Sequence, residues 1–186
     1  MWLPKAMEEK YPIGNGHRTF EQIGELIKEK FRNSRAVMSV FKQFGIHPKE
    51  LDDFQILIED LDGKYAETDA TVMRLSKTLW EKDFFEDYWF LCCHEIMHFC
   101  ARLFEQKTGL KVGDQPGEDD DEPYLHDKEE QWAFALSIAS EIERNTDPDV
   151  IYNRIFPKIS WHFNSPSRGK EAFGMLVEKA KKILNL

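Results

Sequence analysis

Cysteine is scarce in this chain. Three occur among 186 residues, Cys92, Cys93 and Cys100, and all lie within nine positions of one another. An odd number with no distant partner argues against the disulfide framework of small secreted domains and points to a reducing cytoplasm. Long apolar runs are missing as well. No window approaches the ~18 apolar residues of a membrane span, and the opening stretch MWLPKAMEEKYPIGNG has neither the apolar core nor the cleavage pattern of a secretory signal. Neither a membrane nor an export route is therefore expected. Positive charge is in the minority: 25 Lys and Arg stand against 34 Asp and Glu, a net charge of −9, so no broad nucleic-acid-binding face is expected. Much of the acid is concentrated in EDDDE at 118–122. That run lacks the spacing and turn glycine of an EF-hand, and it reads as a solvated loop.

What is present suits one domain over 1–186, long enough to bury a core. Residues 17–33 place Phe20, Ile23, Ile27 and Phe31 at helical spacing, with Thr19 as the cap. A shorter helix is expected over 35–44, where Val37, Val40 and Phe41 form one stripe that Gly45 ends. The period then changes. FQILIEDL (54–61) alternates in part and stops at Asp62-Gly63, a turn dipeptide, and residues 64–79 carry strand-favouring Tyr65, Thr68, Thr71, Val72 and Leu75. Two or three antiparallel strands follow from this. Further helices are predicted over 84–104, over 127–144 with Asp127 as cap and Glu130 at the third position, over 148–156, and from Ser165 or Ser167 to about Leu184. The fold class is α+β: mainly helical, with a small antiparallel sheet of about three strands. The core covers about 17–144, and 148–186 forms a helical extension.

The stretch LCCHEIMHFC (91–100) poses the main chemical question. Apolar residues occupy every side of this helix except the positions of His94, Glu95 and His98, and a helix apolar all round is a buried one. Burying polar groups without partners costs several kcal/mol. His94 and His98 are four residues apart, so both imidazoles leave one face and can reach a single ion at ~2.0–2.1 Å. Glu95 sits beside that face and can take a proton from a metal-activated water without ligating. This is the H-E-x-x-H arrangement of zinc peptidases, and a shared metal ion explains why the three polar groups belong there.

Two imidazoles leave a catalytic zinc one protein ligand short. The compact continuation HExxHxxGxxH is absent, since Ala101 and Phe104 stand where Gly and His would be needed. YLHDKEEQWAFA (124–135) supplies the candidates His126, Glu129 and Glu130. Glu130 is favoured, because Ala133 one turn on is small enough to let the two helices approach closely. The cysteines are expected to be small buried core residues rather than thiolate ligands.

HEIMH, followed about thirty residues later by a helix that opens with Glu130-x-x-Ala133, resembles the gluzincin pattern. It is most similar to the small, compact gluzincins of phage and mobile-element proteins and the ImmA/IrrE group. The resemblance covers about residues 17–144. It implies an order of helix, three-stranded sheet, active-site helix and glutamate helix, with His94, His98 and Glu130 as zinc ligands and Glu95 as catalytic base. Two features depart from the pattern. Phe134 stands where the family often has Asn or Asp to steady a ligand imidazole, so another partner must orient the histidines. LSIASEIE does not match the FA-x-x-L-L-M-P continuation of the ImmA/IrrE proteins.

A peptidase also needs a donor for the developing oxyanion. Tyr124, His126, Tyr152, Arg154 and His162 are available, and no spacing selects among them. A strand at 71–79, if it is the sheet edge, can accept an extended substrate by strand addition. The expected activity is that of a cytoplasmic zinc-dependent endopeptidase acting on a protein or peptide. The competing expectation is a catalytically silent, metal-containing binding or regulatory protein of phage or mobile-element origin.

Overall fold

Local capping chemistry fixes where the first helices start. Thr19 and Gln22 form a reciprocal capping box: the Gln22 N–H donates to Thr19 Oγ1 (3.2 Å) and the Thr19 N–H donates to Gln22 Oε1 (3.0 Å). Helix α1 (Phe20–Asn33) then buries Ile23, Ile27 and Phe31. Ser34 ends it and caps α2 (Arg35–Gln43), whose Val37, Val40 and Phe41 face inward. The computed structural model describes residues 11–13, 16–69, 71–80, 83–113, 127–160, 163 and 165–186. Ahead of α1, β1 (Tyr11–Ile13) and β2 (Gly16–Arg18) pair antiparallel. No periodicity in the sequence announces this short ribbon.

The main sheet holds β3 (Gln55–Glu59), β4 (Ala66–Thr68) and β5 (Val72–Ser76), in the order β3-β5-β4. It is mixed, which corrects the expected antiparallel pairing: β3 runs parallel to β5, and only β4 is antiparallel to it. Asp62-Gly63 does form a turn, with the Lys64 N–H donating to Leu61 O (3.0 Å). The chain leaving it passes to the far side of β5 instead of folding back along β3. Alternation specifies which face a side chain takes, here inward for Ile56, Ile58, Met73 and Leu75, but it does not specify the direction of the neighbouring strand. The strand expected at the edge, within 71–79, is therefore the central one, and β4 is an edge.

The helix anticipated over 84–104 is two helices. Helix α3 (Phe84–Asp87) ends at Tyr88, and α4 (Trp89–Thr108) continues to Gly109, whose φ of 74° is the left-handed termination open to glycine. Helix α5 (Lys128–Glu143) starts where Asp127 accepts from the Glu129 and Glu130 N–H groups (2.9 and 3.4 Å). Helices α6 (Pro148–Ser160) and α7 (Pro166–Leu184) complete the chain.

Helix α5 is the axle of the fold. Every residue from Gln131 to Glu141 is buried, and α4, α7, α2 and α6 all pack on it. Its alanines permit the close approach, while its serines are satisfied: Ser137 Oγ donates to Phe90 O of α4 (2.9 Å) or Ala133 O (3.0 Å), and Ser140 Oγ to Ser137 O (2.8 Å). The segment 148–186 shares this core through Ile151, Ile155, Ala172, Leu176 and Ala180. The inner face of the sheet packs on α1, which touches β3, and on α4, which touches β4 and β5. Phe54 meets Phe99 of α4 at 4.3 Å between ring centroids; fully burying a side chain of that size contributes about 1.5–3 kcal/mol. No helix among the described residues is long and apolar enough to cross a membrane.

Candidate metal centre

The contact between α4 and α5 is apolar along most of its length and polar at one end. From α4 come His94 and His98, one turn apart, with ring centroids separated by 5.1 Å. From the first turn of α5 comes Glu130. His94 Nε2 lies 3.4 Å from Glu130 Oε2, and His98 Nε2 lies 3.6 Å from Glu130 Oε1. One donor atom from each of the three residues lies within 4.8 Å of the others. These separations are informative. They are long for charge-assisted hydrogen bonds, which run to about 2.7–2.9 Å. They match the roughly 3.3 Å between neighbouring ligands of a tetrahedral ion bound at ~2.0–2.1 Å. The trio can hold a metal ion, and the donor set of two imidazoles and one carboxylate is one that suits zinc.

Glu129 has a different task from its neighbour. Its Oε1 accepts a hydrogen bond from His98 Nδ1 at 2.7 Å. That bond fixes the ring orientation and keeps the Nδ1 proton away from the metal side, leaving Nε2 as the donor. Burial lowers the affinity of the His98 imidazole for a proton, yet the hydrogen bond to Glu129 and the charges of Glu95, Glu130 and Glu129 outweigh it and hold the pKa above its ordinary value. The same carboxylates that attract a proton attract a divalent cation. Arg102 lies 3.9 Å from Glu129 and is half exposed, a weak counterweight to three acids. His94 is held by packing, with Phe134 edge-on at 4.8 Å between centroids. The Asn or Asp that the resemblance calls for at 134 is thus replaced by an aromatic wall, and the orienting hydrogen bond is supplied to the other histidine.

Glu95 is 6% exposed, and its carboxylate makes no hydrogen bond to any described residue. It borders a cleft of about 720 Å³ that also touches His94, Phe90, Phe134 and, from α6, Ile155. A buried, uncommitted carboxylate next to an imidazole and an open cavity has room for a water molecule. Edge strand β4 and the turn before it form another wall, through Lys64, Tyr65 and Ala66.

The remaining candidates that the structure describes fall elsewhere. Arg154 Nη1 bonds Glu141 Oε2 (3.1 Å) and Glu86 O (2.9 Å), and its Nη2 bonds Asp87 Oδ1 (3.1 Å). Glu141 is eleven residues beyond Glu130 on α5, roughly 16 Å along the axis, so Arg154 is a structural residue. Tyr152 stacks on Phe156 at 4.5 Å and meets Phe173 of α7. Tyr124, His126, His162 and the EDDDE run at 118–122 lie outside the described residues. All three cysteines are buried and free, and burial pushes their thiols well up from the ordinary range, which is the behaviour of core residues rather than metal ligands. Sequence reasoning treated Glu129 and Glu130 as alternatives for one role. Consecutive residues on a helix diverge by about 100°, a signal that two adjacent acids reach different partners.

Comparison with protein-family models, with curated proteins and with solved structures finds no match to this chain.

Proposed function

We propose that this protein is a zinc-dependent peptidase whose active site is the cleft bounded by α4, α5 and β4. The observation that carries the reading is Glu95: a buried carboxylate with no hydrogen-bond partner among the described residues, beside three donor groups at metal-ligand spacing, facing a cavity. His94, His98 and Glu130 would hold the ion, with Glu129 orienting His98. A zinc ion bound there would polarise the scissile carbonyl and make water acidic enough to be a nucleophile at neutral pH. Glu95 accepts the proton of the attacking water and returns it to the departing amine. An extended peptide can add to β4, an edge strand among the described residues, which takes the role expected of the strand at 71–79. The cytoplasm is the proposed setting, and the resemblance to compact gluzincins supports the same reading.

Openness favours catalysis over a purely structural ion. Structural zinc is closed by four protein ligands, whereas only three groups converge among the described residues and a cavity meets the site. The direct test is Glu95→Gln in zinc-loaded protein, assayed on a peptide library by mass spectrometry. Turnover should fall by about 10²–10⁴-fold with zinc content unchanged. Wild-type-like cleavage by the variant would remove Glu95 from its role, and no cleavage of any peptide by the wild type would overturn the peptidase assignment.

A further inference from the structure

The cleft contains a cation that the fold does not explain. Its walls are largely apolar or aromatic, formed by Phe90 and Leu91 of α4, Phe134 of α5, Ile155 of α6 and the half-exposed Tyr65. Two lysines reach it. Lys64 is spoken for, since its Nζ donates to Glu67 at 2.8 Å. Lys158 has no carboxylate partner among the described residues. Its ammonium leans over the rings of Tyr65 and Phe90, 5.6 and 6.0 Å from their centroids. A basic residue in the last turn of α6 complements the helix dipole wherever its side chain points. The dipole does not account for an ammonium drawn across the cleft onto two aromatic faces in a chain with nine more acidic than basic residues. Phe90 precedes His94 by one turn, about 6 Å, so the ammonium stands within a few residues of extended chain from the metal-facing imidazole.

We propose that Lys158 is a specificity-determining residue: the cleft takes a peptide with a large apolar side chain and anchors a substrate carboxylate on the Lys158 ammonium. The inference rests on the peptidase reading of the same cleft. A carboxylate can come from the chain terminus or from an Asp or Glu side chain, and both present the same group to an ammonium ringed by aromatic surface.

Zinc-loaded full-length protein carrying Glu95→Gln serves as a non-cleaving trap, with binding followed by fluorescence anisotropy of labelled Phe-containing peptides. Four peptides separate the two sources: free-acid against amidated terminus, and Glu against Gln beside the Phe. One acid form should bind about tenfold more tightly than its amide counterpart, and identify the source. Adding Lys158→Met should abolish that difference by weakening the acid form alone, and Lys158→Glu should turn the preference toward the amide. Equal binding of all four peptides, or equal losses for acids and amides in both Lys158 variants, overturns the proposal. Cleavage of acid and amide peptides at equal rates by the wild type would defeat the inference and leave the peptidase reading standing. Lys158-dependent binding with no cleavage would do the reverse, and neither binding nor cleavage would defeat both.

Discussion

Helix α5 takes part in a polar cluster at each end, wholly or partly withdrawn from solvent, and the two are built on opposite principles. At its C-terminal end Glu141 is wholly buried, and Arg144 and Arg154 meet it at 3.2 and 3.1 Å. Those arginines also bond Glu86 at 2.6 Å and Asp87 at 3.1 Å. Each charge there faces an opposite charge at hydrogen-bond distance, so every member is paired, and the cluster joins α3, α5 and α6. At the N-terminal end, Glu129, Glu130, Glu95 and two imidazoles gather, among the described residues, with one distant arginine, and the central separations are 3.4 and 3.6 Å. Among the described residues its acids outnumber its bases, at separations that suit an ion. Removal of polar groups from solvent, in part or in full, is common to both, so burial does not distinguish the proposed metal site. Mismatched charge held at ligand spacing does.

The difference can be tested by perturbing each end separately. The largest effect expected comes from the ion itself: zinc at about a thousand times its Kd should stabilise the folded protein by about 4 kcal/mol in urea unfolding. His98→Ala should erase that increment, and an increment that survives would show that the ion binds elsewhere. Next in size is Arg154→Met, which leaves Glu141 buried with one of its two arginines. It should cost about 3 kcal/mol while the zinc-induced increment stays intact; loss of zinc binding in this variant would mean the two ends are not independent. The smallest effect is expected from Glu129→Gln, which keeps the shape of the side chain and removes its charge. Zinc affinity, measured by competition with a chromophoric chelator, should weaken about 10–100-fold at unchanged stoichiometry. No change would demote Glu129 to a surface acid, and complete loss of zinc would make it a ligand.

Much of this was legible along the chain because the signals are local. His94 and His98 share a face through helical geometry, and the buried apolar residues around them required a reason for their polarity. Asp127 and Thr19 announced their helices by capping chemistry. The signals that failed were those between segments. Asp62-Gly63 announced a turn but not that the strand after it would pair on the far side of β5, because strand alternation encodes a face and not a direction. Glu141 looked like one more acid on a helix. One partner, Arg144, is a helical neighbour three positions on, but the other, Arg154, is thirteen positions away and Arg144's second contact, Glu86, is 58 away, and no periodicity links those. Phe134 stood out against the resemblance, but its place against the His94 ring emerges only when α4 and α5 are side by side.

By itself, then, the sequence determined most of the helices, the caps at Thr19 and Asp127, the buried character of α4, and the pairing of two imidazoles on one face, since each depends on residues within a turn or two of one another. Tertiary structure decided which of two adjacent glutamates points at the imidazole Nε2 atoms and which grips His98 from behind, which strand borders the cleft, and which of its lysines has no carboxylate partner among the described residues. Those outcomes depend on the angle and separation at which elements dock. Docking is set by the summed packing of many side chains, and no short stretch of the chain contains it.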